Sequence, residues 1–182
     1  VRPEKGAKVE ISGQKVEIAN PFDAFRLGLY VVHQDLSLFP NLSVAENIFS
    51  HRYLEKAQKL VNWKEIKAEA TRVMDKLGVD IDPEIEVSRL SVADQQLVAI
   101  SRAIAVDARF IILDEPTSSL TRKEVIRLFA FIRELKARNI SILFISHRLD
   151  EVLEISDRIT VLRDGKKVGT FQREEVDKKR LS

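Results

Sequence analysis

Three short apolar runs, each followed by a polar residue able to do chemistry, constrain the fold of this chain more than any other feature. Leu29–Val32 leads into His33 and Gln34, Arg109–Leu113 into Asp114 and Glu115, and Ser141–Ile145 into Ser146 and His147. Runs of four or five residues rich in Val, Ile, Leu and Phe, bounded by glycine or polar residues, read as buried strands. The segments between them have helical spacing. Ile66, Ala70, Val73, Met74 and Leu77 recur at steps of three and four over Lys64–Leu77, stopped by Gly78. Leu97, Ile100 and Ile104 form a stripe on Val92–Val106 with Ser91 as N-cap, and Val125, Leu128, Phe129, Ile132 and Leu135 one on Thr121–Lys136. Strands that alternate with helices predict an α/β fold around a largely parallel sheet. Short helices are expected at Val44–Phe49, capped by Asn41 or Ser43, and at Arg148–Ile155. Hairpins are expected at Ile11–Val16, turning at Ser12-Gly13, and over Ile159–Leu162 and Val168–Phe171, turning at Asp164-Gly165.

Composition narrows the function classes. With 45% hydrophobic and 32% charged residues, the 182-residue chain has the balance of a globular protein that can bury a core. Its apolar runs are far too short to cross a bilayer, and no basic start followed by a long apolar stretch marks a signal peptide. The absence of cysteine excludes a disulfide framework, a thiolate zinc site and a cysteine nucleophile. Thirty basic residues against 28 acidic ones leave a net charge of +2, too balanced to point to nucleic acid.

Four segments can carry chemistry. Phe110-Ile111-Ile112-Leu113-Asp114-Glu115-Pro116 puts two carboxylates at the end of a buried strand, the edge where parallel sheets bind ligands. Such a pair suits metal-assisted attack of water on a phosphate, with Asp114 holding hydrated magnesium and Glu115 polarising the water. Pro116 is expected to keep Glu115 extended. A solvated Asp-Glu turn is the plainer alternative. His147, also past a strand end, can reach a phosphate and the base carboxylate, or can be a surface imidazole at the start of a helix. Gln34 can reach a metal or a water. Leu90–Gln96 opens a helix behind Ser91, which makes either an anion site or an ordinary cap.

The order and spacing of these segments resemble the ATP-binding subunit of ATP-binding cassette (ABC) transporters, from about Lys8 to Phe171. In that resemblance Gln34 falls on the Q-loop, Leu90–Gln96 on the signature sequence and Phe110–Glu115 on Walker B. Ser118-Ser119-Leu120-Thr121 falls on the D-loop and His147 on the switch histidine. Val32–Ser37, Asn41–Ile48, Leu90–Gln96 and Thr117–Thr121 are similar to the first of the two tandem cassettes in monosaccharide importers of the ribose, galactose and xylose class.

The resemblance implies a P-loop NTPase-like sheet with a helical signature subdomain over about residues 43–106, all of 1–182 forming one partial nucleotide-binding domain. It implies ATP and magnesium as ligands, Glu115 and His147 as catalytic residues, and Asp114 and Gln34 as magnesium contacts. Gln34, Ser91, Ala93, Asp114 and Ser119 become nucleotide contacts, Ser91 and Ala93 serving the nucleotide of the opposite cassette. It implies as partners a second cassette, membrane permeases reached through the loop from Gln34 to Phe39 and, indirectly, a sugar-binding protein, with no nucleic acid, at the cytoplasmic face of the membrane. Two departures stand out. Val92, Ala93 and Asp94 replace Gly-Gly-Gln of the usual signature, and no Gly-x-x-x-x-Gly-Lys-Ser/Thr occurs. That loop cradles phosphates, so the chain is expected to be a cassette lacking the Walker A strand and helix, inactive alone. A non-catalytic scaffold with the same fold is the alternative reading, and a soluble ABC protein acting on nucleic acid or ribosomes a more distant one.

Overall fold

The structure, a computed structural model, describes residues 8–11, 13–51 and 62–177. In chain order its strands are β1 (Val9–Ile11), β2 (Gln14–Val16), β3 (Leu29–Val32), β4 (Phe110–Asp114), β5 (Ser141–Ile145), β6 (Arg158–Arg163) and β7 (Lys166–Gln172). Its α-helices are α1 (Pro21–Arg26), α2 (Val44–Ile48), α3 (Trp63–Lys76), α4 (Val92–Ala105), α5 (Arg122–Ala137) and α6 (Leu149–Ile155).

The three apolar runs form one parallel sheet in the order β3-β4-β5. Its register sets Val32 beside Leu113, Leu113 beside Phe144 and Asp114 beside Ile145. All three strands therefore end at one edge, and the polar residues that follow them emerge together. β1 with β2 and β6 with β7 make separate antiparallel hairpins. At the second turn Asp164 and Gly165 both have positive φ, 51° and 72°, as a two-residue hairpin with the sheet's twist requires. In the first, Gly13 turns with φ 77°, and Ser12 lies outside the described residues.

Helix ends follow local chemistry. Ser43 caps α2 in a reciprocal box with Glu46, Ser91 caps α4, and Thr121 caps α5 in a box with Glu124. Of the two candidate caps for α2, the structure uses Ser43. Helix α1, not anticipated, is capped by an Asn20–Asp23 box with Pro21 in its first turn.

The core lies on one face of the sheet. Val32, Ile111 and Leu113 are buried there with Val98, Phe129 and Leu135. Phe144 meets Phe129 edge-on, ring centroids 5.8 Å apart. The expected apolar stripe of α4 widens into burial nearly all round, taking in Leu97, Val98, Ala99, Ile100 and Ala103. The reason is its position: α2, α3, β3 and α5 all pack against it. The opposite face of the sheet is open, with Val31, Leu143 and Ile145 exposed. β5 is therefore half-buried, its side chains alternating, where full burial was expected.

Candidate functional site

Asp114 closes β4, and Glu115 follows it in a bend. The expectation that Pro116 holds Glu115 extended is overturned: its φ is +47°, in the left-handed region. The reason is tertiary. The Glu115 N–H donates to the carbonyl of Ile145 at 3.0 Å, one residue beyond the β4–β5 ladder, and its carbonyl accepts from the Ser118 N–H at 3.2 Å. A strand neighbour and a tight turn thus override the local preference before proline. The resulting bend brings Glu115 Oε1 within 2.9 Å of His147 Nδ1. With the carboxylate ionised, the imidazole donates that hydrogen bond.

A cavity of about 270 Å³ opens beside Glu115, which shares its wall with Gln34, Ser119, and Val92 and Gln95 at the start of α4. Gln34 follows β3, whose last residue pairs with Leu113 next to the carboxylates. Among the described residues no cluster of three His, Cys, Asp or Glu side chains is placed to hold a metal. Magnesium does not need one, because it keeps most of its water and takes one or two protein oxygens with substrate phosphates. One carboxylate, Asp114, and one amide oxygen, Gln34, at an open strand edge fit that requirement.

The helix start at Ser91 is built differently from an empty anion site. The Asp94 N–H donates to Ser91 Oγ at 3.1 Å, and the Ser91 hydroxyl donates to Asp94 Oδ2 at 2.8 Å. Asp94 Oδ1 accepts from Arg127 of α5 at 2.7 Å. The positive end of α4 therefore already faces one of the chain's own carboxylates. Ala93 is buried. Neither Ser91 nor Ala93 lines the cavity, and neither do Asp114 and His147.

Several residues that shape the site have no motif to announce them. Arg102 of α4 donates to the carbonyls of Ser37 at 2.8 Å and Leu36 at 3.1 Å, holding the loop after Gln34. Asn47, fully buried, holds the same loop further on. Thr117 and Glu151, both buried, are joined 2.5 Å apart behind the Glu115 bend. Thr117 and Glu151 are 34 residues apart, and Arg102 reaches back 65 residues to Ser37, so no local pattern pairs them.

A family model described as ABC transporter matches residues 1–118. The chain is 46% identical over 180 residues to the ribose import ATP-binding protein RbsA 3 of Rubrobacter xylanophilus, covering 99% of this chain and 36% of that protein. It is 49% identical over 158 residues to a putative ribose/galactose/methyl galactoside import ATP-binding protein of Agrobacterium fabrum, covering 87% of this chain and 31% of that one. The chain thus spans about a third of the length of these curated relatives. Among solved structures, an ATP-binding cassette of an ABC transporter in its ADP conformation superposes with TM-score 0.83 at 22% identity, covering 96% of this chain and 72% of that one. A dimeric cassette in a post-hydrolysis state bound to ADP and Pi gives 0.75 at 21% identity, covering 95% and 75%. The structural matches establish the fold, an ABC ATPase fold with a parallel sheet, and the sequence matches establish the lineage: this chain belongs to the ABC transporter family.

Proposed function

We propose that the chain is part of an ATP-hydrolysing subunit that energises sugar import, with Glu115 as general base and His147 as its partner at the reacting phosphate. The observation that carries this reading is the 2.9 Å hydrogen bond between Glu115 and His147 at the carboxyl edge of the sheet. Names of relatives at 40–49% identity, ribose and galactose import ATP-binding proteins, support the sugar class.

In this reading Glu115 takes the proton of the attacking water and His147 fixes the carboxylate's direction. Gln34, which lines the same cavity as Glu115, orients the water. Asp114 and Gln34 hold magnesium, whose charge, when bound, offsets that developing on the phosphate oxygens. Ser91 and the Ala93 N–H serve the nucleotide of a second cassette, and Ser119 is a further nucleotide contact. Residues 43–106, of which 52–61 lie outside the described residues, act as a helical subdomain, and the loop from Gln34 to Phe39 carries its movement to membrane permeases on the cytoplasmic side, supplied by a sugar-binding protein. One sequence fact favours a second reading for these 182 residues by themselves: without a phosphate-cradling Gly-x-x-x-x-Gly-Lys-Ser/Thr they act as a non-catalytic ABC-fold partner.

The test is Glu115→Gln in the full polypeptide assembled with its transporter. The exchange keeps size and hydrogen bonding but removes the base. Nucleotide affinity is expected to stay within about twofold while turnover falls at least about a hundredfold, the range for loss of a positioned base. Unchanged turnover would remove Glu115 from this role.

A further inference from the structure

Glu151 is the one ionisable side chain among the described residues that the fold buries, 6% exposed, and it stands four residues after His147 on α6. Its two oxygens reach both halves of the site. Oε2 accepts from the hydroxyl of Thr117, two residues past Glu115, at 2.5 Å. Oε1 accepts from Arg148, the neighbour of His147, at 2.9 Å. Arg148 Nη1 also donates to the Thr117 carbonyl at 3.3 Å, which closes the triangle.

The geometry in front of this triangle needs support. The side chain of His147 is 71% exposed and that of Glu115 33%, so their mutual hydrogen bond competes with water and contributes little to holding itself. Glu115 also keeps a left-handed backbone, φ +47°, which a residue with a Cβ holds only when its surroundings enforce it. Behind both lies a junction whose Thr117–Glu151 half is buried, Thr117 being 1% exposed, while Arg148 reaches it from the surface with its side chain 42% exposed. A buried polar junction is a poor source of net stability, since apolar groups of the same shape in place of both partners are often nearly neutral. It does fix direction, because each bond is satisfied in one arrangement alone.

We propose that Glu151 is a positioning residue for the reaction, tying the Glu115 turn through Thr117 to the His147 loop through Arg148. This rests on the roles given above to Glu115 and His147. Removal of the tie leaves the fold standing and lets the carboxylate and imidazole drift apart.

The chain holds only three histidines, so its imidazole nitrogens can be followed one by one by ¹⁵N nuclear magnetic resonance. In the native chain His147 is expected to keep its proton on Nδ1, facing Glu115. Glu115→Ala supplies the released reference, in which the two His147 nitrogens move to averaged positions. The double exchange Thr117→Val with Glu151→Leu removes both bonds of Glu151 and leaves Arg148, whose side chain is 42% exposed, to water and the Thr117 carbonyl. It is expected to keep the thermal midpoint within a few degrees and to shift His147 to the released pattern. A folded double variant with the native His147 pattern overturns the proposal and leaves the reading of Glu115 and His147 intact. A native pattern in Glu115→Ala overturns the pairing itself, and the proposal with it. Should the double variant not fold, Glu151→Gln decides: it keeps an acceptor for Thr117 while weakening the hold on Arg148. A shift toward the released pattern upholds the tie, and an unmoved pattern overturns it.

Discussion

Asn47 does for the loop between β3 and α2 what a neighbouring strand does for a ladder. Its Oδ1 accepts from the Phe39 N–H at 2.7 Å, and its Nδ2 donates to the carbonyls of Phe39, Leu42 and Ser43 at 3.0, 3.3 and 3.0 Å. Arg102 grips the preceding carbonyls, with its guanidinium carbon 5.9 Å from the centroid of the Tyr30 ring. Between them Ser37 is held at φ +49°. The irregular stretch after Gln34 thus owes its shape to two side chains borrowed from helices. Asn47→Ala would leave the Phe39 N–H without its acceptor, whereas the carbonyls of Phe39, Leu42 and Ser43 each keep a backbone donor, from Leu42, Val87 and residue 47. One orphaned donor and three lost amide bonds give an expected net loss of about 1–3 kcal/mol in urea unfolding, with the slope unchanged. A loss below about 0.5 kcal/mol would mean that the loop keeps its shape without Asn47.

Helix α5 carries its own pH response. Glu124 accepts at 2.8 Å from both the backbone N–H and the hydroxyl of Thr121. These bonds, the backbone one first, hold its pKa below the ordinary 4.5, against weaker opposition from desolvation and from Asp94. A lowered folded-state pKa means stability that is fully present above the unfolded value and lost as pH falls through the folded one. Glu124→Gln is therefore expected to destabilise the chain at pH 7, with the gap to the native protein closing at pH below 4.5. A gap independent of pH would show that the cap's charge is not involved. Elements of this kind were legible in the sequence because their chemistry is local: Thr121 and Glu124 are three residues apart, and the α3 and α5 stripes follow helical spacing. Leu29–Val32 and Ser141–Ile145 were legible as strands to the residue. What was hidden depends on distant partners. Helix α1 is too short to show a repeat, although Asn20, Pro21 and Asp23 spell its start. The all-round burial of α4 comes from the helices and the strand packed against it. The left-handed turn at Glu115 could not be read from Pro116, because Ile145, which accepts its N–H, lies on another strand. In the site, Asp114, Glu115, Gln34 and His147 showed as strand-tip residues, whereas Glu151, Thr117 and Arg102 gave no local sign.

Across the whole molecule, one sheet edge gathers a carboxylate pair, an imidazole and an amide, yet the 182 residues contain no Gly-x-x-x-x-Gly-Lys-Ser/Thr to surround a phosphate. In the proposed reading these groups place a water and hydrated magnesium; they do not supply the run of backbone N–H donors and the lysine that neutralise a polyphosphate. Asp94 adds a carboxylate at the helix terminus that would otherwise help. Two carboxylates beside the bend and a third at α4 make the site a poor host for an anion on its own. Mass action turns that into a measurement. Ligand at ten times its dissociation constant adds about 1.4 kcal/mol to the folded state, which moves the midpoint of a domain of this size by about 3–6 °C. Millimolar MgATP is expected to leave the midpoint of this chain within about 0.5 °C of its value with magnesium alone, less than the roughly 0.8–1.6 °C that half-saturation of a site would produce. A rise of several degrees would mean that other residues hold the phosphates, either in this chain or across a pair of chains. The two are separable, since a shared site makes the rise grow with protein concentration whereas a site within one chain does not.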